Sequence, residues 1–98
     1  MTYDEIVKKI KNHLKQRNVS DYSDCYIGIT NDAKRRLFDG HNVNREKGIW
    51  IYCQGDSDKV ARDVEQYFLA KGCKGGSGGG DDKSTFVYCY KITSTTEQ

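Results

Sequence analysis

The stretch CYIGITNDAKRRLFDGHN, Cys25 to Asn42, carries a phenol at Tyr26, guanidinium groups at Arg35 and Arg36, and an imidazole at His41. A guanidinium presents a planar fork of donors that matches an oxyanion such as phosphate. An imidazole titrates close to neutrality and can take or return a proton. A phenol, with an ordinary pKa of ~10, becomes a base only beside a cation. These types suit proton handling next to a bound anion. Further along, VARDVEQYF sets Glu65 at the border of an apolar helical stripe, one turn from Ala61 and Phe68. A carboxylate there is half-buried and held by a rigid backbone. Other chemistries fail on spacing. The glycine run is no phosphate-binding Walker loop, because Lys83 does not adjoin its last glycine, and Asp81 occupies the third position of a GxGxxG pattern. Asp81 and Asp82 read as a solvated turn. No serine sits in a nucleophile elbow, and Cys73 has no histidine near it in sequence.

The elements that must position these groups follow from periodicity. Residues 2–17 predict an amphipathic helix, with Thr2 and Glu5 at capping-box spacing and an apolar stripe of Ile6, Val7, Ile10 and Leu14. Within 1–18 this is the N-terminal helix. Asn18 to Asp24 is polar and breaks the pattern. From Cys25 to Thr30 the residues alternate as a strand. Asn31 or Asp32 can cap a short helix ending near Gly40. GIWIYCQ is a second strand. Asp56 or Ser57 can cap a third helix that runs to about Lys71 and stops at Gly72. Residues 72–85 form a glycine-rich loop, and a last strand spans 86–93. Residues 25–71 hold the core motifs.

The strand faces differ in chemistry. Cys25, Ile27, Ile29, Ile49, Ile51, Cys53, Val87 and Cys89 make one aliphatic set, suited to a helix-covered core. Tyr26, Trp50, Tyr52, Tyr88 and Tyr90 make the other. Five rings on one face either pack under a further element or line a groove. The first helix is the expected cover for part of it. The fold class is therefore α+β: a small three-stranded, mostly antiparallel sheet flanked by helices, with an additional N-terminal helix.

A chain of 98 residues makes one domain, residues 1–98. No apolar run approaches the ~18 residues of a membrane span, and MTYDEIVKKI lacks the apolar core of a signal peptide. The expected compartment is cytoplasmic, with Cys25, Cys53, Cys73 and Cys89 as buried thiols rather than a zinc site, since no two lie at zinc-ligand spacing. Net charge of +2 does not announce a nucleic-acid binder. Its distribution says more: Lys8, Lys9, Lys11, Lys15 and Arg17 crowd the first helix, and Lys34, Arg35 and Arg36 form a second cluster.

YIGITNDAKRRLFDGHN resembles the GIY-YIG nuclease superfamily, in which a Tyr-Ile/Val-Gly strand leads into a helix bearing an arginine at the spacing of Arg36. The histidine stands one residue late, with Gly40 before His41. A later helix in the family carries a metal-binding glutamate, where Glu65 stands. The likeness covers Tyr26 to about Phe68. Family members open with a Gly-Ile-Tyr strand before this motif, and here a basic helix takes that place. The last strand, VYCYKITS, reads like that missing strand. Tyr90, or in second place Tyr88, would then supply its tyrosine through a permuted strand order, with the glycine-rich loop as the connection.

The resemblance implies a metal-dependent endonuclease cleaving phosphodiesters, with DNA favoured over RNA. Its cofactor would be Mg²⁺ or Mn²⁺, held by Glu65, since Mg²⁺ commonly takes one or two carboxylates and fills its shell with water. Arg36 would clamp the phosphate, Tyr26 or Tyr90 would act on the attacking water, and His41 would orient or relay a proton. Lys34 and Arg35 would hold flanking phosphates without reading bases. Two alternatives stand beside it: a catalytically inactive nucleic-acid-binding module, and a protein-interaction domain using the basic helix and the tyrosines.

Overall fold

A computed structural model describes residues 1–76 and 83–98. The readings made for Asp81 and Asp82 lie outside the described residues. Helix α1 spans Tyr3–Gln16. Thr2 Oγ1 accepts from the Glu5 amide at 3.3 Å, and the Glu5 carboxylate accepts from the Thr2 amide at 2.9 Å, so the capping box forms. Strand β1 is Cys25–Thr30, β2 is Trp50–Gln54, helix α2 is Asp58–Ala70 and β3 is Phe86–Lys91. Ser57 caps α2 by accepting from the Val60 amide, and Gly72, at φ +114°, ends it. These ends fall where side-chain capping and a left-handed stop dictate.

The sheet has the order β1-β3-β2, with both pairings antiparallel. The C-terminal strand is thus the central one. Its register lines up two rows on one face: Tyr26, Tyr90 and Trp50 in the first, Gly28, Tyr88 and Tyr52 in the second. The opposite face carries Ile27, Cys89 and Ile51, then Ile29, Val87 and Cys53. That aliphatic face packs with Ile6, Ile10 and Leu14 of α1 and Ala61, Val64 and Phe68 of α2. Burying such side chains contributes roughly 1.5–3 kcal/mol each.

The first helix does not cover the aromatic face, contrary to expectation. Its apolar stripe is narrow and aliphatic, and it joins α2 on the aliphatic side. Leu37 and Phe38, just after the basic cluster, and Val43 pack on the aromatic face instead. The edges also differ from expectation. Ile49 lies just outside β2 but still packs on the aliphatic core. Strand β3 ends at Lys91, because residues 93–96 fold into a turn in which the Thr96 amide bonds the Thr93 carbonyl.

The predicted short helix is wound more widely than an α-helix. Residues Arg35–Gly40 form a π turn, in which the His41 amide reaches back to the Arg36 carbonyl at 2.8 Å. One extra residue in an α-helix would rotate every later side chain by about 100°. The π turn absorbs Gly40 and leaves Leu37 and His41 both buried on the aromatic side. After α2 the chain runs beside β1. Lys74 makes a parallel bridge to Tyr26, with hydrogen bonds to Cys25 and Ile27 of 2.8 Å each. Gly75 permits that approach, since a Cβ there would lie 2.7 Å from the Ile27 carbonyl oxygen.

Gly28 leaves the space that the Tyr88 ring occupies: a Cβ added there would overlap the Tyr88 hydroxyl and ring edge. Gly28→Ala is expected to destabilise the protein by about 1–3 kcal/mol through overpacking, measured by urea denaturation.

Candidate active site

The aromatic face gathers Tyr26, His41, Tyr88 and Tyr90 into one cluster of rings. Tyr26 stacks on Tyr90 with centroids 5.3 Å apart and lies 4.7 Å from the His41 ring. Its hydroxyl accepts from the Gly76 amide at 3.1 Å. Cross-strand pairing of β1 with β3 sets this geometry, since Tyr26 is directly opposite Tyr90 and Gly28 directly opposite Tyr88.

His41 is the hub. Its Nδ1 lies 2.7 Å from the Glu97 carbonyl oxygen and its Nε2 lies 2.8 Å from the Tyr88 hydroxyl. A carbonyl can only accept, so Nδ1 carries the proton. Neutral His41 then accepts at Nε2, and Tyr88 donates to it. Burial lowers the His41 pKa below its ordinary value, the Glu97 hydrogen bond works against that, and nearby Arg36 lowers it again. These influences favour the neutral imidazole.

Arg36 is exposed on the π turn, and the neighbouring Tyr88 hydroxyl is the largest influence raising its pKa. Burial pushes the Tyr88 phenol up, and Arg36 opposes the push. Tyr88 therefore donates to a neutral base with a permanent cation beside it. That is the arrangement by which a hydroxyl is polarised toward giving up its proton. The Tyr90 hydroxyl lies 3.0 Å from His41 Nδ1 and donates to the Glu97 carbonyl at 3.3 Å. It stands behind the imidazole, fully buried, and its pKa is pushed well up by burial first and by Tyr26 and Tyr88 next. Of the two tyrosines weighed for this strand, Tyr88 has the hydroxyl that meets Arg36.

Glu65 is buried on α2, at 7% exposure. Desolvation raises its pKa, and Arg62 offsets this in part. It makes no hydrogen bond or ion pair with another described residue. Its charge reaches Tyr88 as a weak repulsion, the smallest influence on that phenol. Tyr26, Arg36, His41, Tyr88 and Tyr90 thus make one cluster joined by ring contacts, hydrogen bonds and charge, and Glu65, on the helix that packs against the aliphatic face, is linked to it only by that weak charge effect on Tyr88. Lys34 and Arg35 are exposed next to Arg36. Among the described residues no further His, Cys, Asp or Glu gathers with Glu65 as a metal-ligand group, so a divalent cation there would take most of its shell from water.

Sequence reasoning missed the Glu97 carbonyl and the Gly76 amide, both backbone groups without a side-chain signature. It also missed that Cys25, Cys73 and Cys89 meet. All four cysteines are free and buried, and Cys89 interacts with both Cys25 and Cys73, which raises its pKa strongly. No family model, curated protein or solved structure matches the chain.

The His41 pKa is lowered on folding from 6.5. Below that value the unfolded chain takes up the proton more readily than the native protein, so this histidine's contribution is complete at higher pH and is lost as pH falls. The destabilisation caused by His41→Asn should therefore be largest above about pH 7 and shrink toward about pH 5, as read by urea denaturation across that range.

Proposed function

We propose that this chain is a GIY-YIG-type, metal-dependent endonuclease of permuted strand order, hydrolysing phosphodiester bonds in DNA in preference to RNA, in the cytoplasm. The observation that carries the reading is the Tyr88 hydroxyl, hydrogen-bonded to His41 Nε2 at 2.8 Å with the Arg36 guanidinium as its neighbouring cation. The pairing of β3 with β1 supports the permutation, since it sets a tyrosine strand beside the Tyr26–Gly28 motif.

In this reading Arg36 binds the scissile phosphate with its fork of donors, and Lys34 and Arg35 hold neighbouring phosphates. Tyr88 accepts a proton from the attacking water while passing its own to His41 Nε2. The proton ends on the imidazole, so no free phenolate has to form. Tyr26 and Tyr90 pack the imidazole into place. Glu65 would hold Mg²⁺ or Mn²⁺, whose charge would act on the phosphoryl and leaving oxygens.

One observation favours the binding-module alternative: Tyr88, Tyr90 and His41 are each at most 4% exposed. Cleavage separates the readings. Labelled DNA and RNA are incubated with the protein and Mg²⁺ or Mn²⁺. The chain should nick DNA, and Arg36→Ala should slow it by a factor on the order of 10²–10³, the loss typical of one preorganised donor to developing charge. Glu65→Ala should abolish metal dependence. The rate should rise with pH as His41 loses its proton and level off below the ordinary histidine value, since its pKa is lowered. Background cleavage together with salt-sensitive binding, with a salt slope that Arg36→Ala flattens by about one unit, would establish the binding module instead. Absence of both activities would leave the protein-interaction reading.

A further inference from the structure

Residues 92–97 return to the aromatic face after β3 ends. The Ile92 amide bonds the Asp24 carbonyl at 2.8 Å, and the chain turns through Thr93–Thr96. Asn42, with φ +56°, sends its side-chain amide to the Thr95 carbonyl at 3.0 Å. Glu97 then grips His41 twice: its amide donates to the His41 carbonyl at 2.7 Å, and its own carbonyl accepts from His41 Nδ1 at 2.7 Å. The Glu97 side chain takes part in neither bond.

Tyr90 makes this contact consequential. Its hydroxyl lies within reach of both His41 Nδ1, at 3.0 Å, and the Glu97 carbonyl, at 3.3 Å. With the tail seated, the carbonyl accepts from Nδ1–H and from Tyr90 together. With the tail gone, the remaining partner of Nδ1 in this cluster is the Tyr90 hydroxyl, which can donate to it. A hydroxyl donates as readily as it accepts, so the proton is then no longer held on Nδ1, and Nε2 can become a donor toward Tyr88.

We infer that the C-terminal tail is a positioning element that fixes the His41 tautomer through the Glu97 backbone carbonyl, and so keeps Nε2 an acceptor for the Tyr88 proton. The consequence for turnover rests on the hydrolytic reading above; the tautomer itself does not. Tail docking would switch the proton path without touching substrate. The segment is short, and Thr93, Ser94, Thr95 and Glu97 are exposed, so it can leave its buried seat at His41 and Tyr90 without unfolding the core.

The test uses ¹⁵N NMR of the His41 ring, which distinguishes the two tautomers, on the full chain and on a chain ended at Thr93. The full chain should carry the proton on Nδ1, and the shortened chain should gain an Nε2–H population. Glu97→Ala should behave as the full chain, because only the backbone acts. Tyr90→Phe in the full chain should also keep Nδ1–H. An unchanged tautomer on truncation overturns the inference, and so does a tautomer that flips in Glu97→Ala or Tyr90→Phe. If truncation moves the proton while the full chain cleaves nothing, the tail assignment stands and the nuclease reading falls. If both hold, truncation should cut the turnover rate of the full chain while leaving salt-dependent nucleic-acid binding unchanged.

Discussion

The contact between Tyr88 and the bare backbone of Gly28 is the constraint on which the aromatic face depends. In an antiparallel pair, directly opposed residues share a face and their side chains compete for the same space. Here one partner has no side chain, so the other can lie across it. The Tyr88 ring leans over β1. Its hydroxyl then reaches His41 and Arg36, which belong to a different segment. Any side chain at residue 28 would hold Tyr88 away, and the meeting of the three groups would be lost.

Burial makes that meeting costly unless it is satisfied. Three phenols and an imidazole in a nearly dry layer each need a partner, since an unpaired buried polar group costs about 1–3 kcal/mol. The protein meets the need with backbone groups from distant segments: the Gly76 amide for Tyr26, and the Glu97 carbonyl for His41 and Tyr90. The ring layer is therefore held from both ends of β3, by the segment that precedes it and by the tail that follows it. The aliphatic layer on the other face has no such demand. It is sealed by two capped helices and provides the rigid floor. The division of labour follows from strand alternation: one strand supplies Val87 and Cys89 to the floor, and Tyr88 and Tyr90 to the polar layer.

The helices, their caps and the two chemically distinct strand faces were legible in the sequence, because each rests on residues close together along the chain. Thr2 and Glu5 predict a capping box, and Cys25, Ile27 and Ile29 predict one buried face. Arg36 and His41 were legible as candidates for the same reason. That Tyr88 rather than Tyr90 lies across the bare backbone of Gly28 was not. Both point to the same face, and they differ only in what stands opposite, which is a matter of register. The side taken by α1 was also hidden, since an amphipathic stripe says that a helix packs but not on which face. The meeting of Cys25, Cys73 and Cys89 joins segments far apart in sequence.

The sequence by itself determined which residues are apolar, where helices start and stop, and that one sheet face is aliphatic and the other aromatic. These are short-range matters of propensity, capping and alternation. Only the tertiary structure decided that the last strand lies in the middle, that a π turn carries His41 back over the sheet, and that two backbone groups complete the polar layer. Such features depend on which distant segments share space, and backbone amides and carbonyls are the same at every residue. No pattern of side chains announces which of them will be used.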